Sequence, residues 1–152
     1  MYYGEFDYAF GKYQMKAKSI PEWLSPILED IKKKQPNSRN VNCCMINIYE
    51  DGHAIIRPHA DDEPTLSPWD DICTVSVGAD RVITFSSDGN KTSYKLESGS
   101  MLVMTREMQN SWQHSVEADP EVTDCRISLS FRHIDPVFAK STVVIIIIII
   151  II

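Results

Sequence analysis

Beyond residue 40 the apolar pattern of this chain settles into a period of two and stays there. Residues 41–49, 53–57, 72–78, 81–86, 92–96, 101–105 and 126–132 are short runs rich in β-branched and aromatic side chains. Turn chemistry separates them: Glu50-Asp51-Gly52, Gly78-Ala79-Asp80, Ser87-Asp88-Gly89-Asn90 and Ser98-Gly99-Ser100. Residues two apart share a strand face, so each run offers one side to a core. A series of this kind packs as a β-sandwich or a barrel. One helix precedes it, over about 21–34, with Trp23, Leu24, Ile27, Leu28 and Ile31 as its apolar stripe. Lys32, Lys33 and Lys34 suit its C-terminal end, and Pro36-Asn37-Ser38 stops it. The first twenty residues carry Tyr2, Tyr3, Gly4, Tyr8, Gly11 and Tyr13 without a sustained period and read as a hairpin or loop. The expected fold class is α+β, mainly β, in one domain without internal repeats.

Charge narrows the function classes. A net charge of −6 excludes indiscriminate coating of a duplex, so any nucleic-acid binding needs a local basic face. Lys12, Lys16, Lys18 and the three lysines at 32–34 could supply one; the plainer reading is a solvated helix end and scattered surface charge. Cys43, Cys44, Cys73 and Cys125 show neither metal-site spacing nor disulfide density, and Met1 to Phe10 is not a secretory signal. Reduced thiols in the cytoplasm or nucleus are expected. The apolar tail at 143–152 would span about 15 Å as a helix, half of a bilayer core of about 30 Å. It is low-complexity sequence with no assigned function, and no membrane partner is expected.

The chemistry gathers around His59-Ala60-Asp61, where an imidazole and a carboxylate two apart can face one ion, and around the isolated His114. Two histidines and a carboxylate leave three positions open on an octahedral ion, the facial triad of non-haem Fe(II) oxygenases. Alone, such a tripeptide is common. Its surroundings sharpen it. Asn47 and Tyr49 lie on one face of a run, and so do Arg126, Ser128, Ser130 and Arg132, with Ile127, Leu129 and Phe131 on the opposite, apolar face. Arginines turned inward from a core strand are costly unless anions compensate them, and the guanidinium fork grips carboxylates bidentately.

These residues carry a resemblance. Asn47-x-Tyr49-x-x-Gly52, His59-x-Asp61-Asp62-Glu63, Ser76-Val77-Gly78, Gly99-Ser100-x-x-x-Met104, Gln109, Trp112, His114-Ser115 and Arg126-Ile127-Ser128-Leu129-x-Phe131-Arg132 follow one another as in the AlkB family of Fe(II)/2-oxoglutarate-dependent dioxygenases. Tyr3-Gly4-x-x-x-Tyr8-x-Phe10-Gly11 and Pro21-x-Trp23-Leu24 resemble the segment before that family's core. The resemblance implies a double-stranded β-helix (jelly-roll) core at 41–138, preceded by a lid hairpin and flanking helix at 1–40 and followed by the tail at 139–152. It implies Fe(II), 2-oxoglutarate and O2 as cofactors. His59, Asp61 and His114 would ligate iron; Arg132 and Asn47 would hold the C1 side of 2-oxoglutarate, and Arg126 and Tyr49 its distal carboxylate. The implied reaction oxidises an N-methyl group on a nucleobase, which leaves as formaldehyde while 2-oxoglutarate becomes succinate.

The same resemblance makes Phe10 and Tyr8 candidates for covering a flipped base. Asp62 and Glu63 could accept from an exocyclic amine or offset a cationic methylated base. The plainer readings are that Phe10 packs the hairpin and that Asp62 only supports the metal site. Trp69 and Trp112 read as core, with Trp112 close enough to His114 to line the iron pocket; Met101, Met104 and Met108 read as strand packing. Expected partners are methylated RNA or single-stranded DNA, with the chain monomeric or part of a larger polyprotein, since its compact form is similar to AlkB domains of RNA-virus replicases. A hydroxylase of a protein or small molecule would share the metal and cosubstrate residues without needing the aromatic lid. A non-catalytic jelly-roll binding module is a third reading, which the intact His59, Asp61, His114, Arg126 and Arg132 oppose.

Overall fold

The computed structural model describes residues 1–135 and Val137; the tail at 139–152 and the end of the 41–138 core lie outside the described residues. Strand β1 (Tyr2–Gly4) leads into a hairpin of β2 (Tyr8–Phe10) and β3 (Tyr13–Met15). Helix α1 (Ser25–Lys34) follows. It starts later than the stripe predicts because Pro26 has no N–H to donate and is tolerated only in a first turn. Residues before it form a turn closed by Leu24 N–H on the Pro21 carbonyl at 2.9 Å, which leaves Trp23 56% exposed and off the stripe. At its far end Gln35 N–H caps Ile31 at 2.8 Å, and Lys34 pairs with Asp30 at 2.7 Å.

The remaining strands are β4 (Cys43–Tyr49), β5 (Ile56–His59), β6 (Ile72–Gly78), β7 (Arg81–Ser87), β8 (Asn90–Leu96), β9 (Met101–Met104), β10 (Gln113–Val116) and β11 (Arg126–Arg132), with a short helix α2 (Arg106–Ser111) between β9 and β10. They form a five-stranded sheet in the order β1-β4-β11-β6-β9 and a four-stranded sheet in the order β5-β10-β7-β8, every pairing antiparallel. Strand β11 is central, paired along its whole length with β4 and nearly all of it with β6. Gly78 ends β6 at φ +94°, where a side chain would also meet the Cys125 carbonyl.

The main apolar cluster lies outside the sheet pair. Leu24 just before α1, with Leu28 and Ile31 of α1, presses on Cys44, Ile46, Cys73, Leu129 and Phe131, the outer face of the large sheet. A second cluster between the sheets joins Tyr49, Ile72, Ile83, Phe85, Leu96, Met104 and Val116. A third ties the N-terminal hairpin down: Tyr2, Tyr8, Cys43, Met45, Leu66 and Ile134. Of the methionines read as strand packing, Met104 is buried in β9 and Met101 is 37% exposed, whereas Met108 lies on α2 and packs against the inter-sheet cluster. The same cluster receives half-buried Trp112. Trp69 contradicts its expectation as a core residue, being 83% exposed on the loop before β6.

Candidate active site

Antiparallel pairing of β5 with β10 places His114 opposite His59, with ring centroids 4.2 Å apart. Asp61 follows β5, and its Oδ1 lies 3.7 Å from His59 Nε2. One donor atom from each of these three residues falls within 4.8 Å of the other two, a spacing that one cation can satisfy. The tautomer is prepared as well. His59 Nδ1 stands 2.9 Å from the Arg57 carbonyl, so the proton belongs on Nδ1 and the Nε2 lone pair faces Asp61. Burial, aided by neighbouring His59, pushes His114 down to about 4, keeping that imidazole neutral and available as a ligand. Burial pushes the Asp61 carboxyl up, but Arg132 and the two histidines outweigh it and hold the group below the ordinary carboxylate range.

Arg132 Nη2 donates to Asp61 Oδ2 at 2.7 Å, with both side chains buried. Its Nη1 reaches the Tyr8 hydroxyl at 3.4 Å, and its Nε is buried without a partner. Six residues earlier on the same inner face, Arg126 is 1% exposed. It lies over the Tyr49 ring at 4.9 Å and donates Nη2 to Ser76 Oγ at 3.0 Å. Its Nε and Nη1 are buried with no partner, and burial lowers the guanidinium from its ordinary value. Buried donors are rarely left unpaired. Here they border a small polar cavity of about 40 Å³ shared by Asn47, Tyr49, Thr74, Ser128, Ser130, His59, Asp61 and His114. An anion with two carboxylates, one toward the donor triad and one toward Arg126, matches that lining. The donor set of two imidazoles and a carboxylate suits iron.

A wider cleft of about 410 Å³ opens from this cavity toward the N-terminal hairpin. Tyr8, Phe10, Met15, Met45, Asn47, Ile55, Arg57, His59, Asp61 and Arg132 are among its walls. The hairpin therefore brings Phe10, 42% exposed, and buried Tyr8 to the same opening as His59 and Asp61, while His114 lines only the inner cavity. Asp62 projects into solvent. Glu63 sits behind Asp61 within hydrogen-bonding reach of Tyr8; its Oε2 is buried without a partner, and burial pushes its carboxyl up. The lysines that could have built a basic face mostly make local contacts: Lys16 with Asp7 at 2.6 Å, Lys32 with Glu29 at 3.3 Å, and Lys12 over the Tyr13 ring.

Three supporting residues escaped the sequence reading. Helix α2 grips both backbone groups of Asp61: Gln109 Oε1 accepts its N–H at 2.8 Å, and Arg106 Nη1 donates to its carbonyl at 2.7 Å. Gln109 stood in the motif without a role, and its isolation among polar residues was the available signal. Arg81, 1% exposed, lies over Tyr49 at 5.6 Å and donates to the carbonyls of Asp51, Ala54 and Glu117. It fastens the loops that flank the Arg126 end of the cavity.

Two facing antiparallel sheets with a histidine–aspartate–histidine cluster and unpaired buried arginine donors between them define an iron- and oxoacid-dependent oxygenase architecture. The chain belongs to the 2OG-Fe(II) oxygenase superfamily, whose family model matches residues 7–132, and Fe(II), 2-oxoglutarate and O2 are its cofactors. It is similar to the alpha-ketoglutarate-dependent dioxygenase alkB homolog 3 of Mus musculus, at 29% identity over 89% of this chain and 51% of that protein. It is also similar to the DNA oxidative demethylase ALKBH2 of Bos taurus, at 32% identity over 80% of this chain and 48% of that protein. The chain thus spans about half the length of these curated relatives. Among solved structures, that of OsALKBH1 superposes with a TM-score of 0.58 at 19% identity, covering 78% of this chain and 66% of the other, which bears out the jelly-roll fold. Among the described residues no helix is long and apolar enough to cross a membrane.

Proposed function

We propose that this protein removes methyl groups oxidatively from N-alkylated nucleobases of the 1-methyladenine and 3-methylcytosine type, extending to N6-methyladenine, with RNA or single-stranded DNA favoured over duplex. The observation that carries the reading is the cleft itself: one opening joins His59 and Asp61 of the donor triad to an aromatic hairpin, with a cavity behind it that holds His114 and buried, unpaired arginine donors. In this reading His59, Asp61 and His114 hold iron. Arg126 and Tyr49 hold the distal carboxylate of 2-oxoglutarate, and Asn47 with Arg132 its C1 side, while Arg132 also fixes Asp61. The loaded centre supplies the oxidising power that turns an N-methyl into a hydroxymethyl group, which leaves as formaldehyde.

The chain's own residues then do the selecting. Phe10 offers a face on which an extruded base can stack, worth about 1–3 kcal/mol per base. Tyr8 closes the inner wall; Glu63 and Asp62 lie outside the cleft lining, and in this reading only the exposed Asp62 is free to reach a base edge. A single-stranded base costs least to extract, which favours such substrates. The relatives' names, an alpha-ketoglutarate-dependent dioxygenase and a DNA oxidative demethylase, support the same class. The test is Fe(II) protein with 2-oxoglutarate and O2 on matched RNA and DNA oligonucleotides carrying each methylated base, with His59→Ala alongside. Loss of one CH2 mass from oligonucleotide in the wild-type sample alone is expected. Succinate formed while every oligonucleotide stays intact would retain the oxygenase and remove the nucleic-acid substrate in favour of a protein or small molecule.

A further inference from the structure

The loop that leaves the donor triad carries a second aromatic group that the cleft does not use. After Asp61 the chain passes Leu66, packed in one cluster with Tyr8, and reaches Trp69, whose ring stands 83% exposed. The loop is not slack. Asp70 is buried and accepts from Ser67 Oγ at 2.7 Å, His133 Nδ1 at 2.8 Å and Asn40 Nδ2 at 3.2 Å. Trp69 N–H donates to Ser67 Oγ at 3.2 Å, and Ser67 N–H to the His133 carbonyl at 2.9 Å. Next to it, Asp71 N–H donates to the Asn37 carbonyl at 2.8 Å, and Ser38 Oγ to the Asp71 carbonyl at 3.2 Å. These bonds stitch the segment 37–40 to the segment 70–71, so exposed Arg39 lies on the segment that adjoins the Trp69 loop. Its guanidinium has no partner among the described residues.

A large aromatic ring held in water by a hydrogen-bonded loop forgoes burial that most tryptophans achieve. The surroundings select what would cover it. Its stitched neighbours at the surface are Arg39, Asn37, Asn40 and the half-buried Asp71, not a continuous apolar patch of the kind that buries a protein partner. An exposed ring, with one guanidinium on the adjoining stitched segment, suits one base and one phosphate. Resting on the nucleic-acid reading above, we infer that Trp69 and Arg39 form a stacking platform for single-stranded nucleic acid, holding a nucleotide outside the cleft while a neighbouring base is extruded into it. From Asp61 to Trp69 the chain contour is at most ~27 Å, a few nucleotides of single strand.

The experiment uses the whole chain and two probes: a single strand of about twelve nucleotides with one central 1-methyladenine, and a trinucleotide around the same base. Trp69→Ala is expected to weaken the long strand about tenfold, and Trp69→Phe to recover most of that. The KM advantage of the long strand over the trinucleotide collapses in Trp69→Ala. Arg39→Ala lowers the salt-dependence slope of long-strand binding by about one. Indole fluorescence, quenched when the wild type binds the long strand, loses that change in Trp69→Phe. If the wild type demethylates the long strand and Trp69→Ala binds it equally well, or loses both probes alike, the platform is wrong and the demethylase reading stands. If the wild type acts on and binds neither probe, the demethylase reading fails and the platform with it.

Discussion

Strand β11 presents two faces built from alternate residues of one seven-residue segment, and they solve opposite problems. Outward, Leu129 sits in register with Ile46 and Val75, and Phe131 with Cys44 and Cys73, all beneath α1. Inward, Arg126 aligns with Tyr49, Ser128 with Asn47, and Ser130 with Thr74, around the small cavity. The outer face is satisfied by the chain alone. On the inner face Arg126 and Arg132 keep buried donors unpaired. The contrast divides labour within one strand. The helix-covered face supplies stability, and the face between the sheets is left incomplete for something that the chain itself does not provide.

The largest effects should separate the faces. Phe131→Ala removes a ring with no exposure from the outer face and is expected to cost about 3–5 kcal/mol of stability by chemical denaturation. The variant that survives should keep its 2-oxoglutarate KM, because none of the cavity-lining residues changes. A comparable loss is expected on the inner face from Arg132→Met, by a different cause. It strands the buried Asp61 carboxylate, and breaking a buried pair costs about 3–5 kcal/mol. A divalent metal should return part of that loss in Arg132→Met and none of it in Phe131→Ala. Thermal melts with and without Mn(II) would show it, and equal recovery in both variants would erase the distinction between the faces.

Arg126→Met should show the reverse imbalance. Arg126 is buried with one hydrogen bond and no carboxylate, so replacing it with an apolar chain is expected to leave stability within about 1 kcal/mol. Loss of charge-assisted bonds to the cosubstrate should weaken 2-oxoglutarate binding by about 1.5–3 kcal/mol, roughly 10- to 150-fold, measured by calorimetry on the Mn(II) protein. A variant that melted several kcal/mol lower yet bound 2-oxoglutarate normally would make Arg126 structural.

Much of this division was legible beforehand. Runs 72–78 and 126–132 match β6 and β11 residue for residue, because strict alternation and flanking turn residues leave little freedom. The inner arginines and the two polar residues of β4 were identifiable from parity alone. Where sequence failed, tertiary context decided. Strand β5 lies at 56–59 and not 53–57, since Pro58 reads as a terminator but is tolerated on the edge of the four-stranded sheet. Strand β10 was missed because Gln113-His114-Ser115 lacks the apolar alternation that marks a half-buried strand. Trp69 was misread because apolar character alone cannot reveal that Asp70 pins its loop outward.

Helix α2 was missed as well, and it yields the smallest and most discriminating test. Its sole buried residue is Gln109, and that side chain faces the metal-ligand loop and not an apolar core. Gln109→Leu would leave the Asp61 N–H without its acceptor, while the Asp61 carbonyl keeps Arg106. The carboxylate should then wander within its site. Loss of a residue that orients a metal ligand typically costs about 10- to 100-fold in metal affinity. Gln109→Glu retains an acceptor oxygen and should recover much of the loss. Packing contributes little here, so Co(II) titration followed by its visible absorption would move while the melting temperature of the metal-free protein shifts by only a few degrees. If instead the melt collapsed and Glu failed to rescue metal binding, α2 would belong with the outer face as a packing element. Order on the inner face would then rest on β11 and Arg132 alone.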